Sequence, residues 1–149
     1  MSGLSDRIDE ELVRATKARD RSRLSALRMI RSALQNRRIE KRAPLTDDEV
    51  VQVLSGLVKR TKESIEQFRK GKREDLVRKE EAELQVILSF LPEQMGEEEV
   101  RGRLQEIIRD VKAAGLKDLG KVMKAAMGEM KGRVDGRLVQ QIARELLSS

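Results

Sequence analysis

Lys117, Lys121, Lys124, Gly128 and Lys131 follow one another at spacings of four, three, four and three. On a helix with 3.6 residues per turn these positions form one row. Leu119, Val122, Met123, Ala126, Met127 and Met130 fall on the opposite side, and no acid interrupts the row, since Glu129 projects elsewhere. Lysines with a glycine among them let a phosphate backbone come close, and each contact adds salt-dependent affinity. The same spacing also describes an ordinary solvated helix face, and taken alone it suits that somewhat better. The turn Gly132-Arg133-Val134-Asp135-Gly136-Arg137 follows. The N-terminus of the next helix offers unpaired N–H groups and a positive dipole end to an anion, with Lys131, Arg133 and Arg137 around it. A C-cap Gly132 and an N-cap Asp135 explain the turn equally well, and the Asp135 carboxylate would then occupy those N–H groups.

A second basic row contains Arg28, Arg31, Gln35, Arg38 and Arg42. A guanidinium fork suits phosphate. Because this row borders an apolar stripe, internal pairing with Glu80, Glu81 and Glu83 is the better of its two readings. Other chemistry is scarce. The 149 residues contain no His, Cys, Trp or Tyr, which removes thiolate nucleophiles, Ser-His triads and ordinary zinc sites. With Phe68 and Phe90 the only rings, base-stacking sheets are not expected. Asp47-Asp48 and Glu97-Glu98-Glu99 stand at helix starts, where dipole compensation accounts for them. No catalytic residue, metal site or cofactor is expected.

The elements that must carry these rows are helical throughout. Apolar residues recur with helical period, and strong helix formers dominate. Helices are expected over about residues 5–19 and 21–42, the second with Leu24, Leu27, Ile30 and Leu34 inward and stopped by Pro44. Thr46 and Glu49 make a capping box for a third helix, which carries Val50, Leu54, Leu57, Thr61, Ile65 and Phe68 and ends at a left-handed Gly71. A fourth, about residues 74–90, turns Val77, Glu80, Leu84, Ile87 and Leu88 inward. Glu80 is then either a half-exposed edge residue or an ion-pair partner for an arginine of the second helix. Leu91-Pro92-Glu93-Gln94-Met95-Gly96 is the clearest boundary. Beyond it, Val100, Leu104, Ile107, Ile108 and Val111 mark a fifth helix closed by Gly115. A sixth carries the lysine row, and Leu138, Val139, Ile142 and Leu146 mark a seventh. The expected architecture is all-α: a larger N-terminal domain over residues 1–91, built on a long helical hairpin, and a three-helix domain over residues 92–149.

Net charge is +6, and residues 1–44 alone hold twelve basic against six acidic side chains. No apolar run approaches the ~20 residues of a membrane span. The opening Met1-Ser2-Gly3-Leu4-Ser5-Asp6 lacks the charged-then-apolar order of a secretion signal. These features suggest a cytoplasmic protein.

Three stretches together resemble the GatB/YqeY-domain family, stand-alone YqeY type. They are Gly71-Lys72-Arg73-Glu74-Asp75-Leu76-Val77 with Lys79-Glu80-Glu81-Ala82-Glu83-Leu84, then Leu91-Pro92-Glu93-Gln94 before the three glutamates, then Gly120-Lys121-Val122-Met123 with Gly132-Arg133-Val134-Asp135-Gly136-Arg137-Leu138-Val139. The resemblance covers nearly the whole chain and implies the same two-part helical fold. It is similar to the tail of the B subunit of the glutamine-dependent aminoacyl-tRNA amidotransferase, which binds tRNA while the chemistry lies elsewhere. The tail's Gly-x-Val-Met-Lys pattern matches Gly120, Val122, Met123 and Lys124. Gly128 and Val134 depart from the family by standing where proline and alanine are expected. The resemblance tips the lysine row toward RNA contact, through Lys117, Lys121, Lys124, Lys131, Gly132, Arg133 and Arg137, with Arg28, Arg31, Arg38 and Arg42 as a secondary row. The expected function is a non-catalytic accessory protein binding tRNA or structured RNA. A carbon–nitrogen ligase label with glutamine as amide donor would describe the larger amidotransferase complex. The rival reading is a protein-interaction module, its hairpin over residues 46–91 docking on an amidotransferase-like or translation-linked partner. A large exposed apolar patch on that hairpin would mark it.

Overall fold

The computed structural model describes residues 3–148; Met1, Ser2 and Ser149 lie outside it, so the first two residues of the opening stretch carry no structural statement. Among the described residues the chain has seven α-helices, one 3-10 turn and no strand. The all-α expectation holds. The chain divides into two compact units, Met1–Pro92 and Glu93–Ser149.

The first unit contains α1 (Leu4–Ala18), α2 (Arg21–Lys41), α3 (Asp47–Lys70) and α4 (Glu74–Leu88). Asp20 caps α2 by accepting a bond from the Arg23 N–H at 3.1 Å. Thr46 and Glu49 close a reciprocal capping box on α3, at 3.2 Å and 3.0 Å. The Leu4 N–H donates to Asp47 Oδ1, tying the start of α1 to the start of α3. α3 packs along α4, and α2 packs on α1, α3 and α4. Ile8, Leu27, Ile30, Val50, Leu54 and Ile87 are fully buried between them. The apolar period of each helix places these residues on its inner face.

Two local expectations are corrected. Gly71 has φ −80°, and the left-handed residue ending α3 is Lys72 at φ 57°. The Lys72 N–H donates to the Arg69 carbonyl and the Arg73 N–H to the Phe68 carbonyl, the paired bonds that close a helix around a left-handed residue. Arg19, Arg42 and Lys112 are also left-handed, and each follows the last turn of a helix. On α4 the buried set is Val77, Glu83, Val86 and Ile87, with Phe90 just beyond, so the face turns to bury Glu83, while Glu80 is half-buried, in agreement with its reading as an edge residue.

The second unit contains α5 (Glu97–Asp110), a 3-10 turn (Leu116–Asp118), α6 (Leu119–Met130) and α7 (Gly136–Ser148). The three helices pack on one another around Val100, Leu104, Val122, Ala126, Met130, Val139 and Ile142. α5 ends before the left-handed Lys112, well short of the expected Gly115, whose backbone is extended.

Candidate nucleic-acid interface

α6 sorts its side chains as its period demands. Val122, Ala126 and Met130 are buried, while Gly120, Lys121, Lys124, Ala125, Gly128 and Glu129 are exposed. Lys117 lies on the 3-10 turn and Lys131 beyond the last residue of α6, so the helix itself carries only the middle of the row. Lys117, Lys121 and Lys124 are exposed and make no ion pair among the described residues, whereas Lys131 is half-buried and partnered. A Cβ built on Gly120 or Gly128 meets nothing within 4 Å. The outer face is therefore low in profile, with ammonium groups standing above glycine and alanine. Glu129, the one acid on α6, is held by Arg103 of α5, whose Nη2 lies 2.6 Å from Glu129 Oε1 and whose Nε also donates to it. Those bonds keep the Glu129 carboxyl below its ordinary pKa.

The turn after α6 is occupied by structure. Gly132 is buried at φ 79°, a conformation that favours glycine, and its carbonyl accepts from Gln94 Nε2 at 2.7 Å. Arg133 Nε donates to the Glu93 carbonyl at 2.9 Å, and the Arg133 carbonyl accepts from the Met95 N–H at 2.8 Å. Both residues thus anchor the segment leading into α5. Asp135 Oδ1 accepts from the Arg137 N–H at 3.0 Å, so a carboxylate already sits at the start of α7, the place a bound anion would take. Arg137 has a partner of its own.

The expected pairing of the α2 arginines with α4 is not found. Glu81 pairs with Arg69 of α3 at 2.9 Å, and Glu83 accepts from Ser25 Oγ at 3.2 Å. On α2 the contact to Glu83 is made by the Ser25 hydroxyl and by none of these arginines among the described residues. Glu80, expected as a possible partner of an α2 arginine, instead lies beside Glu83. Burial first, and then the Glu83 charge, raise its pKa. Arg28, Arg31, Arg38 and Arg42 are all exposed and make no ion pair among the described residues. Whether this row is paired depends on how α4 lies against α2, which short-range sequence pattern does not encode.

The exposed large apolar side chains among the described residues are Val13, Ile39 and Leu116, none of them on α3 or α4. No helix among the described residues is long and apolar enough to cross a membrane.

Several known proteins resemble this chain. It is 29% identical over 146 residues to altered inheritance of mitochondria protein 41, mitochondrial, of Pyrenophora tritici-repentis, covering 96% of this chain and 80% of that protein. It is 36% identical over 86 residues to an uncharacterised protein of Schizosaccharomyces pombe, covering 58% of this chain and 70% of the other. The Kluyveromyces lactis protein of the same mitochondrial name is 33% identical over 109 residues, covering 70% of this chain and 58% of that protein. The mitochondrial names overturn the cytoplasmic expectation. That expectation rested on the lack of an apolar span and of a secretion-signal order, which does not distinguish one aqueous compartment from another. A family model described as Yqey-like protein matches residues 5–147, nearly every residue, and the chain belongs to the Yqey-like protein family.

Proposed function

We propose that this chain is a non-catalytic accessory protein that binds tRNA or another structured RNA through the outer face of α6. The observation that carries this reading is the group Lys117, Lys121 and Lys124, exposed and free of ion pairs among the described residues, over a helix surface of glycine and alanine. Such a face reads the sugar-phosphate backbone by shape and charge rather than by sequence. The resemblance to the tRNA-binding tail of the amidotransferase B subunit supports the same partner. Lys131 flanks the face, while Gly132 and Arg133 serve it indirectly by fixing the turn at its end. Amide transfer, in this reading, belongs to larger complexes and not to this chain. The docking alternative has less support, because the hairpin of α3 and α4 exposes no large apolar side chain.

The test is tRNA binding by the whole protein, titrated against salt. A Lys117→Ala/Lys121→Ala/Lys124→Ala variant should bind more weakly, with a log–log salt slope shallower by about 2 to 3. Unchanged affinity and slope in the folded variant would remove this face from the binding surface.

A further inference from the structure

The cations of α2 are sorted by face. Arg23 pairs with Glu11 of α1 at 3.0 Å, Arg37 with Glu40 at 3.7 Å, and Lys41 with Glu49 of α3. At 3.6 residues per turn these three lie within about 40° of arc, at the same azimuth as the buried Ile30 and Leu34 but nearer the helix ends. Neighbouring helices supply two of the three carboxylates there. Arg21, Arg28, Arg31 and Arg38 occupy a different sector of about 100°, and Arg42 continues it just past the helix. All five are exposed, and none makes an ion pair or side-chain hydrogen bond among the described residues. At ~1.5 Å rise per residue the row is about 30 Å long.

We propose that this arginine face of α2 is a second binding surface, one that takes the phosphate backbone of a double-helical nucleic acid. It does not depend on the α6 reading. Five like charges held on a rigid rod repel one another, and a dense line of phosphates relieves that repulsion. A duplex supplies about one charge per 1.7 Å of its axis. Guanidinium forks engage phosphate oxygens two at a time, which a hydrated ammonium does not. Single strands are a poorer fit, because they are gripped by stacking on aromatic side chains. Here Phe90 is buried and Phe68 half-buried, and no other ring exists. A lipid surface is also a poorer fit, because Ile39 is the only large apolar side chain exposed on α2. Asp6, Asp9 and Asp47 line a groove with Arg31 and Arg38, so the charge is partly offset at that end and the surface is strongest toward Arg21 and Arg28.

The experiment uses the whole protein with arbitrary-sequence RNA and DNA duplexes of about 20 base pairs, long enough to span the row, read by anisotropy across a salt series. Arg21→Gln/Arg28→Gln/Arg31→Gln/Arg38→Gln should weaken binding about tenfold or more and flatten the salt slope by about 3 to 4. The matching four-fold Arg→Lys variant should keep most of the slope. A loss on both duplexes identifies the shared phosphate chemistry, and a loss on one names the preferred source. The same loss should appear when the α6 lysines are already alanine, so failure of either surface is read separately. Asp6→Asn/Asp9→Asn tests the idea without removing any arginine and should tighten binding several-fold. The proposal is overturned if the folded Gln variant keeps its duplex affinity and slope, if the Asn variant binds no tighter, or if the Gln variant loses only binding to phosphatidylglycerol vesicles.

Discussion

α2 and α6 both present unpaired cations, and they arrive at them by different routes. On α2 seven of the twenty-one residues are Arg or Lys, and neighbouring acids silence only those on the core-facing side. What remains is a row of arginines selected by where the other helices are not. On α6 the lysines were on one side from the start, and the single acid is drawn off by Arg103. The α6 face is low and open because glycine and alanine separate its cations. The α2 face is built of long planar forks. The contrast teaches that a basic row in a sequence becomes a basic surface only after its neighbours have taken their share.

The turn after α6 is where structural and contact roles separate most clearly. Gly132→Ala should cost about 1 to 3 kcal/mol, because a Cβ is strained at φ 79°. Urea unfolding would measure it. tRNA affinity of the fraction still folded should be unchanged, since the turn is structural. A stable variant with lost affinity would move Gly132 into the contact surface and weaken the division drawn above.

At Gly128 a smaller effect is expected. It lies on an exposed helix face where a Cβ meets nothing within 4 Å, so Gly128→Ala should stabilise by up to about 1 kcal/mol in thermal or urea unfolding. Gly128→Gln should also be no less stable, yet bind tRNA several-fold more weakly if the backbone of the RNA rests on this face. Equal affinity would mean that the glycine has no part in recognition.

The smallest effect concerns the silenced side of α2. The hydrogen bond from Lys41, followed by that from the Thr46 backbone, lowers the Glu49 pKa from 4.5 to about 2. A lowered carboxylate contributes stability that is present above its unfolded value and lost as pH falls through the folded one. The loss therefore runs from about pH 4.5 down to about 2, and urea midpoints of Glu49→Gln should lack that portion of the acid limb. Glu11→Gln/Glu49→Gln frees Arg23 and Lys41 and should tighten duplex binding slightly. No change would show that the core-facing cations are out of reach even when unpaired.

Much of the fold was legible because it depends on short-range rules. The Thr46–Glu49 capping box, the Asp20 cap and the apolar faces of α3, α5, α6 and α7 follow from neighbours three or four residues apart. The departures came where distant geometry decided. Glycine preference pointed to Gly71 and Gly115 as helix ends, while the closing hydrogen bonds selected Lys72 and Lys112. The buried face of α4 is turned to put Val86, Ile87 and Phe90 in the core, which brings Glu83 inward, where Ser25 of α2 donates to it. At the candidate site Lys117, Lys121 and Lys124 were legible as a row. The duties of Gly132 and Arg133 were not, since they depend on Gln94, Glu93 and Met95, some forty positions earlier.

The four left-handed residues that follow helices, Arg19, Arg42, Lys72 and Lys112, are all cations. A long side chain is strained there relative to glycine, while a positive charge is favoured at the carbonyl end of a helix. Each position is thus a compromise that glycine would relax. Replacing all four would remove four of the six surplus positive charges. The basic isoelectric character of this chain is therefore in large part a by-product of how its helices stop. A relative with glycines at Arg19, Lys72 and Lys112 would carry half the surplus and still keep every cation of the α2 and α6 faces.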